Sequence, residues 1–203
     1  MNGAQLFHVE HNVNIEYKIQ TNMTIEQLKK DVRNVPDFPK KGIQFKDITT
    51  IIDNAEELCF MRDELVKMYR GKGITKVVGI ESRGFILAPA IAMELGAGFV
   101  PIRKHNKLPA ETIQASYKKE YGLDIIQMHK DALSPDDVVL IHDDILATGG
   151  SMEAAIELVR KLGVKKLYVN CLIELEGLDG RAYLKKKEPD VEVDCLMGIE
   201  VDE

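Results

Sequence analysis

The sequence is short of cysteine and has no excess of basic charge and no long apolar run. Its three cysteines, Cys59, Cys171 and Cys195, are far apart and odd in number, and no CxxC pair occurs. Neither a zinc site nor a disulfide framework is indicated, and buried thiols in a reducing compartment are expected. No apolar run approaches the roughly 20 residues that cross a bilayer. Residues 1–20 are polar and lack a signal-peptide core, so a cytoplasmic protein with no membrane partner is expected. Lys and Arg total 27 against 33 Asp and Glu, a net charge of −6. That balance argues against a nucleic-acid surface, and any anionic ligand must be gripped by a local cluster of donors. Two phosphate-binding patterns are also missing. No lysine follows Gly150, so the Walker A pattern is absent, and Gly96-Ala97-Gly98 is a turn rather than part of a GxGxxG. ATP hydrolysis and dinucleotide binding are disfavoured. There is no internal repeat and no low-complexity tract.

What is present reads as an ordinary globular chain of 203 residues, 45% apolar and 30% charged, long enough to bury a full core without a staple. Residues 1–22 show little periodicity and read as an extension. Residues 23–203 read as one domain. Thr24 with Gln27 resembles a capping box opening a helix to about Arg33, which Pro36-Asp37-Phe38-Pro39 then stops. Asn54 and Glu57 can open a second helix with Leu58, Met61, Leu65 and Met68 on one face, closed by Gly71 and Gly73. Four apolar runs follow, at 77–80, 99–102, 138–141 and 167–173. They look buried on both faces and suit a parallel sheet covered by helices, an α/β fold. Ala155, Leu158, Val159 and Leu162 mark a third helix that stops at Gly163. Between 107 and 122 the pattern is polar with scattered aromatics and suggests a mobile loop or hairpin, of the kind that often serves as a lid.

The most telling stretch is 138–151, Val-Val-Leu-Ile-His-Asp-Asp-Ile-Leu-Ala-Thr-Gly-Gly-Ser. A strand ends in Asp143 and Asp144, then a loop of small and hydroxyl residues leads into a helix. Gly149 and Gly150 let backbone N–H groups close around an anion, and the helix start adds unpaired donors and partial positive charge. The two acids would repel that anion, so they suit another part of the ligand, such as sugar hydroxyls or a cation. Alone, they could equally be solvated or cap a turn. His142 alternates away from Asp143 along the strand and reads as packing or as a contact behind the site.

The stretch resembles the phosphoribosyl diphosphate (PRPP) motif of the type I phosphoribosyltransferases. Pro36-Asp37-Phe38-Pro39, residues 42–47, Glu81-Ser82-Arg83-Gly84-Phe85, Arg103-Lys104 with Lys107-Leu108-Pro109, and Ala115-Ser116-Tyr117 with Glu120-Tyr121-Gly122 narrow the resemblance to the adenine phosphoribosyltransferase family, over about residues 23–185. It implies the type I fold, a central parallel sheet flanked by helices with a small N-terminal hood at about 34–50 and a flexible loop. It implies purine salvage: adenine and PRPP give AMP and pyrophosphate. Magnesium would be carried mainly by PRPP and pyrophosphate, with no metal site of the protein's own. By the same resemblance Ala147, Thr148, Gly149, Gly150 and Ser151 take the 5′-phosphate, and Asp143 and Asp144 take the ribose hydroxyls and stabilise positive charge on the ring. Glu81, Ser82, Arg83, Lys104, Lys107 and Tyr121 surround the pyrophosphate, and Glu120 handles the purine proton. Phe45 and Ile145 sandwich the adenine, whose amino edge is read by backbone groups of Gln44 and Lys46. Plainer readings remain for three of these: Phe45 as core, Lys107 and Glu120 as solvated loop residues. The resemblance also implies a homodimer in which Arg103 reaches the neighbouring site.

Two rivals are weaker. A 6-oxopurine phosphoribosyltransferase is disfavoured by residues 42–47. A PRPP-sensing regulator without chemistry would want a DNA-binding module and a basic surface, and only about 35 residues precede the Pro36 motif of this acidic chain.

Overall fold

The computed structural model describes residues 22–119 and 122–201. Residues 1–21, the bulk of the expected extension, lie outside the described residues, as do Glu120 and Tyr121.

Thr24 caps α1 (Ile25–Asp31) with the expected capping box: its hydroxyl accepts from the Gln27 N–H, and the Gln27 side chain accepts from the Thr24 N–H. The helix stops earlier than expected. Arg33 opens β1 (Arg33–Pro36) instead, because its guanidinium is drawn to Asp47 on β2 (Gln44–Asp47), with Nε donating to Oδ2 at 3.0 Å. These two strands pair antiparallel, Val35 opposite Phe45, and form the hood. A short α2 (Thr49–Ile52) leads to α3 (Ala55–Tyr69), whose N-cap is Asn54 as expected: Asn54 Oδ1 accepts from Glu56 N–H at 2.9 Å.

The main sheet follows: β3 (Lys76–Ile80), α4 (Gly84–Leu95), β4 (Gly98–Lys104), β5 (Thr112–Lys119), β6 (Gly122–His129), β7 (Val138–Leu146), α5 (Gly150–Lys161), β8 (Lys166–Glu176), α6 (Gly180–Lys187) and β9 (Val193–Glu200). Its order is β5-β6-β4-β3-β7-β8-β9. The four expected apolar runs are the parallel strands β4, β3, β7 and β8, and β9 adds a fifth. Within the expected segment 107–122, residues 112–119 form a strand of a hairpin: β5 and β6 pair antiparallel, and β6 joins the edge of β4 through Arg103 and Lys104.

Alternate residues of the central strands serve two cores. Val78, Val139, Ile141 and Val169 pack with Met152, Ala155, Leu158 and Val159 of α5. Val77, Leu140 and Leu172 pack on the other face with Met61 and Leu65 of α3 and Leu87 and Ile91 of α4. Burial on both faces is why these strands read as unbroken apolar runs. It also leaves their carboxyl ends, where β3 and β7 enter α4 and α5, as the place where polar groups gather.

Candidate active site

The polypeptide turns from β7 into α5 through residues 147–149, with Gly149 at φ 85°, a left-handed conformation that a side chain would strain. No side chain caps α5. Its first N–H groups thus lack side-chain partners and carry the positive end of the helix dipole. Thr148 is exposed, and Ala147, Gly150 and Ser151 are half-buried.

One strand away, β3 runs into the Glu81–Ser82 peptide, which is cis, and Arg83 leads α4. Gly84 lets that turn lie on the acidic strand end: a Cβ there would stand 2.9 Å from the His142 carbonyl oxygen and 3.0 Å from Asp143 Oδ1. Arg83 Nε then lies 2.9 Å from Asp144 Oδ2, although this oxygen has no aligned hydrogen bond, so the contact is an ion pair held by charge. Asp144 is only 5% exposed. Asp143 Oδ1 accepts from the Asp144 N–H at 2.9 Å. Burial and the adjacent Asp144 carboxylate push the Asp143 carboxyl well above the usual carboxylate range. Burial also pushes Asp144 up, against the pull of Arg83. Two desolvated acids side by side gain from any ligand that offers hydroxyl donors or positive charge.

His142 is fully buried, with Nδ1 2.9 Å from Asn170 Oδ1. Burial pulls its pKa down to about 4, so it stays neutral at physiological pH and serves packing, as its alternation suggested.

A cleft of about 600 Å³ opens in front of the bend. Its walls are Pro39, Lys40 and Ile43 of the hood, Tyr117 and Lys118 of the hairpin, and Ile145, Ala147, Thr148, Gly149 and Ser151 around the bend. The hood and hairpin residues were not assigned to the site from sequence, although both stretches fall inside the motifs that carry the resemblance. Tyr117 donates to Asp124 Oδ2 at 3.2 Å, and burial with the Asp124 charge pushes its hydroxyl up to about 12.

Other expected residues stand differently. Of the four assigned to adenine, Ile145 alone lines the cleft. Phe45 is packed edge-on against Phe38, with ring centroids 5.1 Å apart, and lies under the Arg83 guanidinium at 5.0 Å. The Lys46 carbonyl accepts weakly from Arg83 Nη1 at 3.4 Å, and Gln44 Oε1 accepts from Asn34 Nδ2 at 2.9 Å. Arg83 thus covers both the ring and the carbonyl that were expected to meet a base. The Glu81 carboxylate is taken by Arg103, Nε to Oε2 at 2.9 Å, and by the Lys104 N–H at 2.8 Å; Arg103 above all holds its pKa below the usual range. Arg103 is therefore paired with Glu81 within its own chain. Ser82, Lys104 and Lys107 are exposed.

The phosphoribosyl transferase domain family matches residues 43–202. An adenine phosphoribosyltransferase of Bacteroides fragilis is 55% identical over 177 residues, covering 87% of this chain and 99% of that protein. The crystal structure of adenine phosphoribosyltransferase from Rhodothermus marinus superposes with a TM-score of 0.80 at 50% identity, covering 86% of this chain and 97% of that one. The Giardia lamblia enzyme complexed with 9-deazaadenine gives a TM-score of 0.82 at 42% identity, covering 87% and 98%.

Proposed function

The chain belongs to the adenine phosphoribosyltransferases of the phosphoribosyl transferase family, and from that premise we propose which of its groups move the 5-phosphoribosyl group from PRPP to adenine in purine salvage. The carrying observation is the uncapped start of α5 behind Gly149, next to two desolvated acids. Residues 147–151 hold the 5′-phosphate through backbone N–H groups. The ribose 2′- and 3′-hydroxyls donate to Asp143 and Asp144. As the bond from the anomeric carbon to pyrophosphate breaks, its electrons leave with the phosphate oxygen, and these carboxylates stabilise the positive charge left on the ring. Adenine N9 forms the new bond on the opposite face, and its proton passes to Glu120.

Arg83 is the cation for the diphosphate, with Lys104, Lys107 and the Glu81–Ser82 backbone around it. A diphosphate outbids one carboxylate for a guanidinium by charge and by bidentate geometry. Moving Arg83 onto it frees Asp144 for the ribose, the Phe45 ring to stack on adenine opposite Ile145, and the Lys46 carbonyl to accept from the 6-amino group beside Gln44. A 6-oxo purine would leave that carbonyl facing a lone pair, at a cost of about 1–3 kcal/mol, which favours adenine.

Among the described residues no three His, Cys, Asp or Glu side chains converge on a cation position. Magnesium would be carried by the substrate's own phosphate oxygens and water, where it would neutralise the departing pyrophosphate. A second copy of the chain is the proposed partner: on α4, Ile86 and Met93, seven residues apart, are 38% and 82% exposed, an apolar face that pairing would cover. Among the described residues no helix is long and apolar enough to cross a membrane.

The test is pyrophosphate release from PRPP and magnesium with adenine, hypoxanthine or xanthine, run on the native protein and on Asp143→Asn. Adenine alone should support turnover, and the variant should lose about tenfold or more in kcat while keeping its fold, the scale expected for one transition-state contact. Equal turnover by all three bases, or an unchanged variant, overturns the assignment.

A further inference from the structure

The bend proposed to take the 5′-phosphate leans on α6, backbone to backbone at Gly180 and against the Tyr183 and Leu184 side chains at Gly149. A Cβ on Gly149 would stand 3.0 Å from the Gly180 carbonyl oxygen. A Cβ on Gly180 would fall inside the Ala147 carbonyl oxygen, 3.0 Å from its carbon and 3.2 Å from Gly149 N. Two glycines far apart in sequence let backbone meet backbone.

The helix is itself pinned. Arg181 Nε donates to Glu174 Oε2 on β8 at 2.9 Å, Nη2 reaches the same oxygen, and Nη1 donates to the Val193 carbonyl at the start of β9. The Tyr183 hydroxyl donates to Glu153 Oε2 on α5 at 2.5 Å. Leu184 is 1% exposed, in the same core as Met152. The first turn of α6 is thus fixed to the sheet on one side and to α5 on the other.

We infer that Gly180 is a positioning residue for the phosphate of PRPP, with α6 acting as a fixed stop behind residues 147–149. The inference rests on the reading that this bend holds the 5′-phosphate. The peptide between Ala147 and Thr148 is not among the cis bonds. In a trans peptide the carbonyl and the next N–H point in opposite directions. A carbonyl held against α6 turns the Thr148 N–H away from α6. Donors aimed before the ligand arrives need no reorganisation when it binds. A side chain at 180 must either push α6 off its anchors or rotate that peptide, and in both cases the phosphate loses an aligned donor.

The experiment compares the native protein with Gly180→Ala. Loss of one hydrogen bond to a charged group predicts a rise of about tenfold in KM for PRPP, and for AMP in the reverse direction, with KM for adenine unchanged. Ribose 5-phosphate binding should weaken by the same factor. A variant with unaltered PRPP affinity overturns the inference, and so does one in which adenine and PRPP suffer equally. If Gly180→Ala does not fold, Arg181→Gln carries the test, because it keeps the glycine and cuts the tie to Glu174. It must raise KM for PRPP selectively, and an unchanged value overturns the inference. The two readings fail separately. Native protein that binds ribose 5-phosphate without turning over adenine would sink the proposed reaction, and the ribose 5-phosphate titration of the variant would still decide the role of Gly180.

Discussion

Asp144 is buried with Asp143 half-buried beside it, and the Arg83 guanidinium offsets part of the cost of holding two carboxyls together there. Glu57 shows the same physics. It lies in the first turn of α3 and is 4% exposed. Burial first, then the hydrogen bond and charge of Asp31 at the end of α1, push its pKa up to about 7. The folded protein therefore binds a proton that the unfolded chain releases between its ordinary value of 4.5 and about 7. Stability contributed by this group is fully present below that window and is lost as pH rises through it. Glu57→Gln keeps a donor toward Asp31 at every pH. It should raise Tm at pH 8 by roughly 2–4 °C, about 1 kcal/mol for a chain of this size, and change little at pH 4. Melting curves at the two pH values check this, and an equal shift at both would show that ionisation of Glu57 does not matter.

Elements that announce themselves by a local rule were legible in the sequence. Thr24 with Gln27, Asn54 before Glu57, and Gly163 after Leu162 are backbone devices complete within a few residues, and each stands where it was read. The buried parallel strands were legible because double-sided burial forbids polar residues in them. The rest depends on partners distant in sequence. The first hood strand is polar and exists because Arg33 and Asn34 meet Asp47 and Gln44. α4 is apolar nearly all round and encloses Pro89, so it shows no amphipathic period. α6 ends in three lysines and is set in place by Arg181. At the site, the acids and the glycine bend were legible as chemistry. That Arg83 would rest on Asp144, Phe45 and Lys46 was not, because adjacency in sequence says nothing of which anion is nearest in space. The capping rule is open to test. Asn54 accepts from two N–H groups and touches nothing in the cleft. Asn54→Ala should lower stability by ~1 kcal/mol and leave kcat/KM for PRPP unchanged. A fall in kcat/KM well below the melting transition would mean that α3 is coupled to the site after all.

Across the whole molecule, the cleft belongs to no single element. Its walls come from the hood near residue 40, the hairpin near 117 and the bend at 145–151, and only the bend leads off a central strand of the main sheet. The hood is a separate two-stranded sheet and the hairpin is the free edge of the larger one. Free edges and small sheets carry little buried apolar surface, so they open locally at lower free energy than the central strands. A nucleotide spanning the cleft would bind best where hood, hairpin and bend are in place together, and would shift the population toward that arrangement by its affinity difference. AMP at about 100 times its Kd stabilises the state it binds by about 2.7 kcal/mol, a slowing of roughly 100-fold in amide exchange for segments that must open to release it. Hydrogen exchange with and without AMP should therefore show new protection at 39–43 and at 116–119 together with 145–151, while β8 and β9 change little. Protection confined to 145–151 would mean that the phosphate is held by the bend alone, and that the hood and hairpin stand beside the reaction without closing over it.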